Sequence, residues 1–187
     1  MTPSSPQMDD RHSRFELKTL LETSRLLIES HDMDFVLNNL LLITMGKLLI
    51  TKGMILIFEP GEKRYVVSKS KGKGCPEEGS KITFPNPEQA QQKSIIQQEF
   101  DDIDLPEIIE SETKCTLFNL QTSNHHLGFL CSGSKGTKRP LTERELEFVE
   151  SLSIISSVAI ANSRMFTELR KINRMLDRKV YELNTLY

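Results

Sequence analysis

The reactive side chains of this 187-residue chain fall into three groups: a glycine- and lysine-rich loop, an adjacent histidine pair and three scattered cysteines. The loop Gly74-Cys75-Pro76-Glu77-Glu78-Gly79-Ser80-Lys81 comes close to a phosphate-binding loop, whose glycines and lysine hold phosphates at a helix N-terminus. Here the lysine and serine stand in the reverse order, and the extended-looking Ile82-Thr83-Phe84-Pro85 follows, which argues against nucleotide hydrolysis. Lysines at 69, 71 and 73 read as the solvated tip of a hairpin. His125 and His126 would point to opposite faces of a strand, so they do not suit one shared metal. No Cys or His has structural-zinc spacing. Cys115 and Cys131 are placed to approach across a hairpin, either as buried structural thiols or as a redox pair. No catalytic constellation emerges.

Composition narrows the class. Hydrophobic residues are 37% and charged residues 27%, which suits one folded domain with an extension. The net charge of -2 gives no basic field for nucleic acid or anionic membrane. An odd, sparse cysteine count fits a reducing cytosol. Residues 1–13 lack the apolar centre of a signal peptide, and no apolar run is long enough to span a bilayer. The expectation is a cytoplasmic protein with no nucleic-acid or membrane partner.

Residues 1–12, with Pro3, Ser4, Ser5 and Pro6, read as a disordered leader. A helix is predicted from about Ser13, with Leu17, Leu20, Leu21, Leu27 and Ile28 as its stripe. Asp32 or Asp34 can cap a second, largely buried helix over Phe35–Leu49. Strands are expected at Met54–Phe58, Lys63–Lys69 and Lys81–Phe84, and a weak helix at Glu88–Phe100. Pro85–Thr113 holds eight acids and one lysine, and reads as a lid or partly ordered connection. Cys115–Gln121 and His126–Ser132 form a predicted hairpin. With Leu117 opposite Leu130, one face carries Phe118, Leu120, Leu127, Phe129 and Cys131, and the other Cys115, Leu117, Asn119, Gly128 and Leu130.

Thr142-Glu143-Arg144-Glu145 is a capping box, and nothing breaks the helix from there to Tyr187. A helix of that length, on the order of 70 Å at 1.5 Å per residue, outruns one domain. Its heptad series end in Leu169, Leu176 and Leu183, and in Asn173, Val180 and Tyr187. Leu at d with Asn and Val at a suits a parallel two-stranded coiled coil. The expected division is therefore a leader at 1–12, a domain at 13–169 and a coiled-coil helix at 170–187, leading to a fused output domain. Phe15–Leu21 also echoes Tyr181–Tyr187, which reads either as two similar connector helices flanking the domain or as the start of another module.

With the elements in this order, three stretches carry a resemblance. His126-Leu127-Gly128-Phe129-Leu130, Leu141–Val149 and Val158-Ala159-Ile160-Ala161-Asn162-Ser163-Arg164-Met165-Phe166 resemble the end of a GAF domain: a Gly-containing strand, a capped last helix and an Ala-Ile-x-Asn-(small)-Arg signature. Asn119-Leu120 stands where the family often has Pro-Leu. The Asn-Lys-Phe-Asp-Glu set of cyclic-nucleotide GAF domains is not visible, and no cysteine has a bilin-attachment context. No metal, haem or bilin cofactor is therefore expected. The resemblance implies an α+β fold (an α/β sandwich), with a central antiparallel sheet, helices on one face, a lidded pocket on the other and a long C-terminal helix. It implies a cytosolic sensor that binds an unidentified small molecule and regulates a fused phosphatase, kinase or cyclase. The alternatives are a ligand-free dimerisation module and, in third place, a methionine-sulfoxide reductase-like enzyme. The pocket residues expected are Phe84, Ile95, Leu117, Asn119 and Leu130. The homodimer is expected through Leu169, Asn173, Leu176, Val180 and Leu183.

Overall fold

The computed structural model describes residues 6–83, 95–99, 114–123 and 125–185, with side chains at 18–83, 115–123 and 125–185. The chain runs α1 (Pro6–Glu29), α2 (Met33–Leu48), β1 (Gly53–Glu59), β2 (Arg64–Lys71), β3 (Lys81–Ile82), β4 (Ile95–Glu99), β5 (Lys114–Gln121), β6 (His126–Ser132) and α3 (Glu143–Asn184). The strands form one six-stranded sheet in the order β3-β2-β1-β6-β5-β4. Every neighbouring pair is antiparallel.

Alternation along β1 and β5 splits the core in two. Ile55, Ile57, Phe118 and Leu120 pack with Leu27 of α1, Val36, Leu40 and Leu41 of α2, and Phe148, Leu152 and Ile160 of α3. The opposite face gathers Met54, Leu56, Tyr65, Val67, Ile82, Leu117 and Phe129, with no helical residue among them. The helices thus lie on one face of an antiparallel sheet, as expected for the fold.

Local chemistry sets the helix ends. The Asp32 carboxylate accepts from the Asp34 and Phe35 N–H groups at 2.9 and 3.4 Å and caps α2. Leu49 then turns left-handed (φ 53°), with the Ile50 N–H donating to the Met45 carbonyl. At α3 both halves of the capping box form: Thr142 Oγ1 accepts from the Glu145 N–H at 3.3 Å, and Glu145 Oε2 accepts from the Thr142 N–H at 2.7 Å. Lys135 reaches the same carboxylate at 2.6 Å and ties the β6–α3 loop to it.

Three sequence expectations need correction. The first helix starts at Pro6, not Ser13, so it takes in most of the supposed leader. Proline suits a first helical turn, where its missing N–H has no partner to lose, and Asp9 and Asp10 complement the positive end of the helix. Ile95–Glu99, expected as helix, is strand β4 paired with β5, so sheet pairing overrides the weak helical pattern. The hairpin register is shifted by one: Cys131, not Leu130, lies opposite Leu117, and Leu130 lies opposite Phe118. That slip moves Leu130 into the helix-side core.

The same hairpin contains an irregularity. Leu120 pairs with Gly128 but Gln121 pairs with His126, so Leu127 is an extra residue in β6. The bulge puts His126 and Phe129, three residues apart, on one face. Beside it, a Cβ on Gly128 would collide with the Leu56 carbonyl of β1. Only glycine lets the two backbones meet there.

α3 divides at its middle. Its buried residues all lie between Phe148 and Ser163. From Thr167 to Thr185 every residue is exposed except the half-buried Glu182. No helix of the described residues is long and apolar enough to cross a membrane.

Two glycine substitutions should have opposite signs. Gly128→Ala should destabilise the domain by about 2–4 kcal/mol, because backbone atoms of β1 must move. Gly46→Ala, inside α2 with nothing within 4 Å of the added methyl, should stabilise it by about 0.5–1 kcal/mol. Urea unfolding of the two variants checks both; equal effects would contradict the close approach at Gly128.

Candidate ligand site on the sheet face opposite the helices

Four strands contribute to a polar chain set among aromatic rings. The Asn119 Nδ2 amide on β5 donates to Gln121 Oε1 at 3.2 Å, leaving Oδ1 as acceptor toward His126 Nδ1 at 2.9 Å. With the imidazole proton on Nδ1, Nε2 is left to accept from the Tyr65 hydroxyl of β2 at 3.1 Å. Phe58 of β1 and Phe129 of β6 flank this line, with ring centroids 5.1 Å from Tyr65 to Phe58 and 4.8 Å from His126 to Phe129. Tyr65 is fully buried and Asn119 is 5% exposed.

Burial disfavours the imidazolium and pushes the His126 pKa down from its ordinary value to about 4. At neutral pH the ring is uncharged, the state that one donor and one acceptor nitrogen require. The arrangement is a neutral hydrogen-bonded chain enclosed by aromatic rings.

Of the expected pocket residues, Leu117 and Asn119 do share this face. Leu130 faces the helices instead. Ile95 lies opposite Phe118 in the β4–β5 pairing, while its side chain is outside the described residues, as are Phe84 and the segment expected as a lid. Tyr65, Phe58, His126 and Phe129 were not anticipated as a site. His126 was weighed only as a metal ligand, and simple alternation places it away from Phe129. The glycine two residues after it was the one sequence sign of an irregular strand.

An open cleft of ≈ 820 Å³ lies elsewhere, where the α1–α2 turn, the β2–β3 loop and α3 meet. Asp34, Glu78, Thr167 and Arg170 line it. Two of its lining residues stack on one ring: His31 packs on Phe166 at 4.3 Å, and the Arg170 guanidinium lies over the same ring at 4.4 Å. The expected dimer residues lie further along α3 and face outward. Leu169, Leu176, Val180 and Leu183 are between 55% and 58% exposed, and Asn173 is also exposed.

No sequence-family model matches the chain, and no curated protein matches it in sequence. Its structure, however, resembles many solved ones. The GAF domain of a phosphoenolpyruvate-protein phosphotransferase from Coxiella burnetii superposes with TM-score 0.67 at 14% identity, over 82% of this chain and 96% of that one. The GAF domain of a putative sensor histidine kinase from Pseudomonas syringae pv. tomato gives 0.65 at 12%, over 89% and 99%. That of a two-component sensor histidine kinase from Bacillus halodurans gives 0.60 at 18%, over 74% and 99%. At these identities the likeness is one of fold: this chain has the GAF-domain fold, the one its own closing motifs resemble.

The depressed His126 pKa makes a signed prediction. The unfolded chain takes up a proton on His126 below about pH 6.5, whereas the folded chain does so only near pH 4. His126 therefore leaves stability intact above about pH 6.5 and erodes it as the pH falls from there toward 4. Melting temperatures of the parent and His126→Phe across this window should show a shallower acid-side decline in the variant. Parallel curves would contradict the buried, neutral ring.

Proposed function

We propose that this chain is the sensor and dimerisation module of a cytosolic signalling protein. It takes a small neutral molecule at the Tyr65–His126–Asn119 face and regulates a fused output domain of phosphatase, kinase or cyclase type through α3. The observation that carries this reading is the outer half of α3. A solvated helix gains nothing from Leu169, Leu176, Val180 and Leu183 at more than half exposure. A second copy packed in parallel removes that surface from water, with Asn173 at an a position setting register. The fold shared with GAF domains of two sensor histidine kinases supports a signalling role.

A second reading, a dimerisation module with a filled core, has its own support. Both amide atoms of Asn119 already have partners, and Tyr65, Leu117 and Phe129 have no exposed surface.

Light scattering on the purified chain should give twice the monomer mass, and Leu176→Lys with Leu183→Lys should return it to the monomer. A parent chain that is monomeric at micromolar concentration would contradict the dimer. For the site, native mass spectrometry for a co-purified compound and a thermal-shift screen of neutral aromatic compounds separate the two readings. A ligand should raise the melting temperature by mass action, and Asn119→Leu should abolish that rise. If nothing shifts the parent and Asn119→Leu only stabilises it, the filled-core reading stands.

A further inference from the structure

All three cysteines of the chain, distant in sequence, collect toward one end of the sheet face opposite the helices. Cys131 on β6 lies opposite Leu117, and Cys115 is two residues from Leu117 on β5, so the two thiols are diagonal neighbours in one buried cluster. Cys75 reaches the same end from the β2–β3 loop. Its S–H donates to the Lys71 carbonyl at 3.2 Å. Lys71 lies opposite Gly53, which lies opposite Ser132, the neighbour of Cys131. Burial pushes the Cys131 thiol well above its usual range, and the nearby sulfurs of Cys115 and Cys75 push it the same way. Among the described residues no group of three or more side chains is placed to hold a metal ion, so a shared metal does not explain the gathering.

The three thiols differ in access. Cys115 and Cys131 are 5% and 3% exposed, whereas Cys75 is half-buried. As the most accessible of the three thiols, Cys75 is the one that a peroxide in solvent reaches.

We propose that Cys75 is a peroxide-reactive thiol whose sulfenic acid is captured by Cys131, closing an intramolecular disulfide between the β2–β3 loop and the sheet. The Cys75 thiolate attacks one peroxide oxygen, the O–O bond breaks, and hydroxide leaves as water after protonation, giving Cys75–SOH. The Cys131 sulfur then attacks the Cys75 sulfur, the S–O bond breaks, and a second water leaves with the Cys131 proton. Two thiols lose two electrons in all, and the peroxide takes them. Cys131 is the resolving partner because β6 is two strands from β2 in the sheet order, whereas Cys115 on β5 is three away. The same loop carries Glu78 and Gly79, which face Thr167 and Arg170 of α3 across the open cleft. Oxidation therefore moves a wall that abuts the start of the exposed helix.

The test is mass spectrometry of the full chain treated with hydrogen peroxide. The parent should lose the mass of two hydrogen atoms and yield a Cys75–Cys131 linked peptide. Cys115→Ser should behave like the parent. Cys75→Ser, whose hydroxyl can keep the bond to the Lys71 carbonyl, should lose the response. A folded parent that keeps its mass, where peroxide oxidises the denatured chain, would overturn the proposal. So would a Cys115–Cys131 linkage forming in Cys75→Ser. Hydrogen exchange at Thr167–Arg170 should differ between reduced and oxidised chains, and identical exchange would overturn the link to α3.

Discussion

At Gly128 the backbone of β6 passes β1 so closely that a side chain would enter the Leu56 carbonyl. That contact has consequences on both sides of the sheet. It keeps β1 and β6 paired from Gly53 to Ile57, so Ile55 and Leu130 deliver one packed surface to the helices. On the far side, the extra residue Leu127 beside Gly128 turns His126 toward Phe129 and Asn119. Without the bulge, strict alternation would put His126 with Leu130, under the helices. A buried imidazole there would meet an apolar core, and an unpaired buried polar group costs about 1–3 kcal/mol. Where it does lie, both of its nitrogens have partners.

α3 lives in two environments, and its residues differ accordingly. Its domain half packs large side chains such as Phe148, Val149 and Leu152, but also Ser153, Ser156, Ser157 and Ser163. The small residues let α2 come close. Among the described residues, the hydroxyls of Thr44 on α2 and of Ser153 and Ser156 on α3 are buried without a hydrogen-bond partner, while Ser157 donates back to the Ser153 carbonyl. The last fixed contacts are Ser163 to the Ser30 carbonyl and the His31–Phe166–Arg170 stack. Beyond them the leucines of α3 extend into solvent.

Local signals were readable and distant pairings were not. Asp32, Thr142 and Glu145 announce helix starts through side chains that bond their own backbone, and the structure has both caps. His126–Ser132 is a strand to the residue because Leu, Phe and Cys side chains suit a buried pleat. The α+β class and GAF-like order followed from those elements and from the closing motifs. The hairpin register did not, since a bulge changes pairing without changing composition. For the same reason Asn119 was legible as a buried amide of interest, while its partner His126, seven positions away, and the Tyr65 that bonds His126 in turn were not. Ile95–Glu99 failed differently: Gln97, Gln98 and Glu99 are good helix formers, and only the unpaired edge of β5 makes them a strand.

The most direct test of this arrangement is a pH titration of the His126 imidazole by nitrogen-15 NMR on the folded chain. A neutral ring protonated on Nδ1 at pH 7, with its titration midpoint near 4, is the result the network predicts. A ring that titrates near 6.5, with both nitrogens averaged by exchange, would mean that His126 faces water, and the Tyr65–His126–Asn119 site would fall with it.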